Sequence, residues 1–272
     1  MMKLDIERVI KKGSFQMVPA LFIGHGSPYL AVTQNDYSAF LKDLGKRIKP
    51  KAIVIFSAHW ESETLAITYT DDILDTVYDY YGFPEEMYQI KYPAKGSKIV
   101  AEIVEDRFKK AGIPTRREVE RGLDHGVWVA LKHMYPEADI PVVAISVNAF
   151  LSPKEQYKIG KSLQRLDEQD ILVIGSGTTV HNFQWMNPRA TSPVKEAVDF
   201  DNWIFEHVEK GDIDTLDQYR SLAPNAVLAV PRAEHFVPLF IAMGSASNKS
   251  TKPKKINQTY EFGTMSNMCI EF

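Results

Sequence analysis

Short apolar runs alternate with longer amphipathic ones along most of this chain, and that alternation is the strongest constraint on how it can fold. Pro19 to Ile23, Ala52 to Ser57, Pro141 to Val147 and Ile171 to Gly175 are apolar and rich in β-branched residues. Runs of this kind predict strands buried on both faces, as parallel strands are. The stretches between them predict helices with legible ends. From Ser97 to Ala111 the residues Ile99, Val100, Ile103, Val104 and Phe108 form one stripe, and Gly112 follows as a stop. Ser152, Pro153 and Glu155 supply an N-cap, a first-turn proline and a capping-box partner, and Ser192 with Pro193 repeats the cap-then-proline device. The pattern predicts an α/β fold with a parallel or mixed sheet covered by helices on both faces. Gln258 to Phe262 and Asn267 to Phe272 predict two strands around a turn at Gly263, an antiparallel addition to that sheet. No repeat, low-complexity tract or linker marks a boundary, so residues 1–272 are expected to form a single domain, with 1–17 as an N-terminal extension.

Several function classes drop out. The formal net charge is −3 and no basic stripe stands out, which argues against a nucleic-acid partner. The cluster from Lys252 to Lys255 reads as a solvated loop between strands. A single cysteine, Cys269, excludes an internal disulfide and a thiolate metal cage, and its surroundings read as a buried strand. The first residues, MMKLDIERVIKKGSFQM, lack the apolar core of a secretory signal, and nothing approaches a membrane span. A reducing, cytoplasmic location is the expectation.

The histidines carry the chemistry. His25, in Gly24-His25-Gly26-Ser27-Pro28, follows one predicted strand directly, and His59, in Ser57-Ala58-His59-Trp60, follows another. His181, in Thr179-Val180-His181-Asn182, lies just past a third. The carboxyl ends of parallel strands are where open α/β sheets place their ligand sites. His125 begins a predicted helix with Asp124 as its N-cap, and His235 follows Glu234 at the start of the apolar run Phe236 to Met243. Neutral imidazole suits zinc and ferrous iron, and a catalytic metal needs about three protein ligands with positions left open. A lone histidine is more often a hydrogen-bonded structural residue; several at successive strand ends favour a metal centre. His133 and His207 sit inside helical patterns and read as structural or solvent-facing. There is no G-x-S-x-G elbow, no P-loop and no H-E-x-x-H, and Gly175-Ser176-Gly177 lacks the third glycine of a dinucleotide fingerprint. Tyr80, Tyr81, Phe83, Tyr88 and Tyr92, with Gly82 and Pro84, read equally as a packed surface loop or as the wall of a flat aromatic substrate's pocket.

The motifs GHGSP, SAHW, YGFPEEMY followed by YPAKGS, LDHGVW, MYP-ADIPVV, GSG-x-x-VHN and EHFVPL occur in this order, from about Pro19 to the end. Together they resemble the class III extradiol ring-cleavage dioxygenases, and most of all their 4,5-DOPA dioxygenase branch. The resemblance implies a three-layer α/β/α domain with a mixed, mostly parallel sheet. It implies that His25, His59 and His235 are metal ligands. His181 would stand at the metal, as a fourth ligand or as an acid/base, and His125 would be a second catalytic histidine that is not a ligand. Ferrous iron would support activity, and zinc would be found on purification. The substrates would be a catechol and O2. Two other readings share this scaffold: a non-enzymatic, protein-binding member, and a zinc hydrolase acting through bound water.

Overall fold

The computed structural model describes residues 18–247 and 252–272; the extension expected at 1–17 lies outside the described residues. The strands are β1 (Leu21–Gly24), β2 (Ala52–Glu61), β3 (Leu65–Thr68), β4 (Thr115–Glu118), β5 (Val142–Val147), β6 (Ile171–Gly177), β7 (Lys254–Asn257), β8 (Tyr260–Glu261), β9 (Met265–Ser266) and β10 (Cys269–Glu271). Eight of them form one sheet in the order β4-β3-β5-β2-β6-β1-β10-β7. The centre, β5-β2-β6-β1, is parallel throughout. At one side β3 pairs antiparallel with β5 and parallel with β4. At the other, β10 and β7 add antiparallel.

The helices are α1 (Asp36–Arg47), α2 (Lys98–Lys110), α3 (His125–Met134), α4 (Pro153–Ser162), α5 (Lys195–Lys210), the short α6 (Ile213–Leu216), α7 (Tyr219–Leu222) and α8 (Ala226–Ala229), and α9 (Pro238–Ser245). Every residue of β1, β5 and β6 is buried, so each strand feeds two cores. Ile53, Ile55, Leu172 and Ile174 point to one face and meet Leu41 of α1 and Trp128 and Leu131 of α3. Val54, Phe56, Val143 and Val173 point to the other and meet Val104 and Phe108 of α2, Ile159 of α4 and Ile241 of α9. Phe22 and Ile270 continue that second face under α5 and α9. Each of these large side chains contributes roughly 1.5–3 kcal/mol by leaving water. The result is the three-layer α/β/α arrangement with a mixed, mostly parallel sheet.

The expected helix ends at Ser97, Gly112 and Ser152 are present: Ser97 and Ser152 cap α2 and α4, and Gly112 takes φ 72°. Three expectations need correction. Ser192 and Pro193 do not start a helix; α5 begins at Lys195 with Val194 as its N-cap, and the Val194 N–H bonds the Gly263 carbonyl. Lys254 and Lys255 are not in a loop but in edge strand β7, where lysines discourage further strand pairing. The two C-terminal strands resolve into more pieces: β8 and β9 form a separate hairpin around Gly263, and only β10 joins the main sheet. Cys269 is a fully buried strand residue, as expected.

One buried carboxylate ties the C-terminal addition to the core. Asp201 of α5 is fully buried and accepts hydrogen bonds from Thr179, Tyr260 and Ser266. Burial raises its carboxyl above the ordinary value, opposed by those hydroxyls. Asp201→Ala strands the buried hydroxyls of Thr179 and Ser266 and takes the acceptor from the half-buried Tyr260 hydroxyl, and the expected loss of stability is roughly 2–4 kcal/mol. Urea unfolding checks this; a midpoint equal to that of the unchanged protein would refute it.

Candidate metal centre

Three adjacent strands bring the site together. His25 follows β1, and Thr178 and His181 follow β6. His59 lies in the last part of β2, where the register with β5 breaks between Ser57 and Glu61 and turns the chain. His235 precedes α9 and reaches the same place because its carbonyl accepts from the Thr178 N–H at 2.8 Å. Gly177 makes that approach possible: a Cβ there would collide with the His235 carbonyl. Gly126 does the same under His59, whose Cδ2 would lie 2.8 Å from an added Cβ.

The Nε2 atom of His59 lies 3.1 Å from that of His25 and 3.1 Å from that of His235. Hydrogen bonds on the far side of each ring settle where the protons are. Ser176 spends its hydroxyl proton on the Gly126 carbonyl, so its oxygen accepts from His25 Nδ1 at 3.1 Å. His59 Nδ1 lies 3.0 Å from Asp79 Oδ2, a carboxylate contact that favours the proton on Nδ1, and His235 Nδ1 donates to Glu234 Oε1 at 3.0 Å. With Nδ1 protonated in all three rings, the Nε2 atoms present lone pairs to one another. In that state they repel, and a cation between them reverses the sign. Metal–imidazole bonds of about 2.0–2.1 Å put neighbouring nitrogens about 3 Å apart, which is the spacing found. The donor set therefore fits a divalent metal that accepts imidazole, and each of the three rings has the outer partner that metal-bound imidazoles require.

The electrostatics agree. Burial, reinforced by the neighbouring imidazoles, holds His25 and His235 well below the ordinary histidine value, which keeps them neutral. Burial resists ionisation of Asp79, yet the hydrogen bonds from His125 and His59 hold its carboxyl well below the usual range. Burial raises Glu234, with Arg232 acting in the opposite sense.

The remaining predicted residues flank this group. His125 is buried; its backbone N–H and its Nδ1 each meet Asp79 Oδ1 at 2.9 Å, and its ring centre is 3.9 Å from that of His59. Asp124 is the N-cap of α3, but its carboxylate accepts from Ser57 and Arg121, not from the helix. His181 lies outside the three-nitrogen group. Its ring stacks on His235 at 3.6 Å, and its Nδ1 is 3.9 Å from Glu234 Oε1, beyond hydrogen-bond reach. Burial, with the charges of His59 and His125, lowers His181 to about 4. His133 and His207 stay away, bonded to the Leu30 and Trp203 carbonyls. The aromatic segment packs on itself through Tyr80, Phe83 and Tyr88, and the Tyr80 ring reaches within 5.8 Å of His125. Tyr92 is separate, buried in the core. Asp79 and Ser176 were not singled out from the sequence. Asp79 is the only acidic residue among Tyr78, Tyr80 and Tyr81, and that isolation was its one signal.

The lowered histidines have a consequence for stability. A group whose folded value lies below its unfolded value, near 6.5, binds its proton more readily when unfolded. Stability therefore holds above about pH 6.5 and falls from there towards pH 4, by up to about 1.4 kcal/mol per pH unit for each such imidazole. Urea midpoints measured in chelator at pH 7 and pH 5 should differ clearly; equal midpoints would mean that the rings are hydrated.

Residues 19–272 match the family described as the catalytic LigB subunit of aromatic ring-opening dioxygenase. The chain is 40% identical over 250 residues to a 4,5-DOPA dioxygenase extradiol of Beta vulgaris, covering 90% of this chain and 92% of that one. It is 30% identical over 259 residues to an Escherichia coli protein of the same name, covering 93% and 94%. The crystal structure of an uncharacterized Escherichia coli K12 protein superposes with a TM-score of 0.78 at 27% identity, covering 94% of this chain and 99% of that one. A three-histidine centre on a mixed α/β sheet, matched over nearly its whole length, places this chain in the LigB family of aromatic ring-opening dioxygenases.

Proposed function

We propose that this protein is a metal-dependent extradiol dioxygenase that opens the ring of a catechol with O2, and that His25, His59 and His235 hold its metal. The observation that carries the reading is the convergence of three Nε2 lone pairs beside two further imidazoles that are not needed to form that group. Relatives named for DOPA point to a catechol bearing an amino-acid side chain. When bound, ferrous iron supplies the electronic link between a catecholate and dioxygen; zinc, without redox chemistry, does not.

The protein's own groups handle protons and orientation. His125 has its Nδ1–H fixed on Asp79, so in its neutral form Nε2 is an acceptor. It takes up a substrate proton before it can return one. His181 has no side-chain hydrogen bond among the described residues, which leaves both ring nitrogens free for a substrate hydroxyl. Its low value makes it a weak base alone; a catecholate beside it strengthens it. We assign His181 to proton transfer at the edge of the metal, not to the ligand set. Tyr80, backed by Phe83 and Tyr88, offers a flat apolar wall beside His125 for the ring.

Two experiments test this. Protein stripped of metal and reloaded with ferrous iron should consume O2 and turn yellow with a catechol, whereas zinc-loaded protein should do neither. Equal uptake with both ions, or none across a broad catechol panel, would refute the dioxygenase reading and favour a zinc hydrolase or a binding protein. His125→Ala should keep its metal but lose roughly 10²–10⁴ in ring-cleavage rate. An empty site in that variant would make His125 part of the metal-holding structure.

A further inference from the structure

We infer that Asp79 is a positioning residue: one carboxylate fixes the tautomers of both His59 and His125, and only a carboxylate at this place leaves His59 able to bind metal. The inference rests on the metal centre proposed above and assigns a role to a residue outside it. Asp79 Oδ2 faces His59 Nδ1 at 3.0 Å, and Oδ1 faces both the His125 Nδ1 and the His125 backbone N–H at 2.9 Å. An ionised carboxylate can only accept, so both rings must carry their proton on Nδ1. That leaves a lone pair on Nε2 of His59, aimed at His25 and His235.

The segment around Asp79 is tied down independently of the site. The Val77 N–H bonds the Leu123 carbonyl, the Trp128 indole donates to the Val77 carbonyl at 3.1 Å, and the Tyr80 hydroxyl donates to the Met87 carbonyl at 2.9 Å. Asp79 therefore sits on a fixed frame, and its two oxygens are not interchangeable. A backbone N–H cannot change from donor to acceptor. In Asp79→Asn the amide oxygen must take the place of Oδ1, facing His125, and the amide nitrogen must take the place of Oδ2, facing His59. Two donors then oppose each other unless His59 moves its proton from Nδ1 to Nε2. With a proton on Nε2, His59 no longer offers a lone pair to the metal. The same substitution leaves His125 as it was. One isosteric change thus separates the two histidines that the carboxylate joins.

The test is nitrogen-15 NMR of histidine-labelled, metal-free protein at pH 7.5, with zinc affinity measured by competition against a chromophoric chelator. Unchanged protein should show the Nδ1–H tautomer at both His59 and His125. Asp79→Asn should show Nε2–H at His59 alone and bind zinc about 10–100-fold more weakly. A merely structural role for Asp79 would move neither tautomer selectively. Nδ1–H persisting at His59 in Asp79→Asn, or zinc affinity within twofold of the unchanged protein, would overturn the inference. If Asp79→Asn does not fold, by far-UV circular dichroism, the unchanged protein decides: Nε2–H at either ring overturns it. Failure of the unchanged protein to bind zinc would instead refute the metal centre, and the spectra would still judge the tautomers.

Discussion

Three imidazole nitrogens with their lone pairs turned towards one another form an arrangement that nothing in the side chains themselves favours. At 3.1 Å, without a shared proton, these contacts are repulsive, and the burial of His25 and His235 leaves less water to screen them. The arrangement persists because each ring is held from behind by an acceptor on a different part of the chain: Ser176 on β6, Asp79 in the connection between β3 and α2, and Glu234 ahead of α9. The fold imposes the repulsion, and a dication bound there would relieve it. Site and scaffold are coupled in this sense, since the energy that holds the rings together comes from the packing of the sheet and its two helical layers.

That coupling explains the glycines around the centre. Gly177 and Gly126 stand where backbone or ring must come closer than a Cβ allows, one under the His235 carbonyl and one under His59. Helix α9 also lies close against β6, with the Pro238 carbonyl at Gly175. These contacts fix the distance between the sheet and the helix that delivers His235. A catalytic constellation needs its groups held to within about half an ångström, and strand ends with close helix contacts supply that rigidity where a free loop would not.

The sequence displayed the frame well and the outer partners poorly. Continuous apolar runs and cap residues revealed the central strands, α2 and α4, because burial on both faces and helix termini leave local signatures. The short strand β4 left none; it is Thr-Arg-Arg-Glu, and only its neighbour makes it a strand, while β3, Leu-Ala-Ile-Thr, is an apolar run too short for its type to be read from periodicity. Ser192-Pro193 misled because serine and proline favour turns as well as helix starts, and α5 begins only at Lys195. The histidines stood out by their places at strand ends. Asp79 did not, since it meets His59 across 20 positions of sequence and His125 across 46, and no local pattern records such pairing.

The placement of charge bears on what a metal here could do. In a site of two histidines and one carboxylate, an anion binds the dication directly and neutralises part of its charge. Here the three nitrogens are neutral, and the carboxylates of Asp79 and Glu234 stand one ring further out, each against an Nδ1–H. With His59 and His235 as ligands, they would raise the basicity of both rings without touching the ion. A dication held this way keeps more of its charge for its open positions. A catechol must shed protons to bind through its hydroxyl oxygens, and a less neutralised ion lowers the cost of that loss. His125 and His181 lie against His59 and His235, the proposed ligands, where such protons would be released.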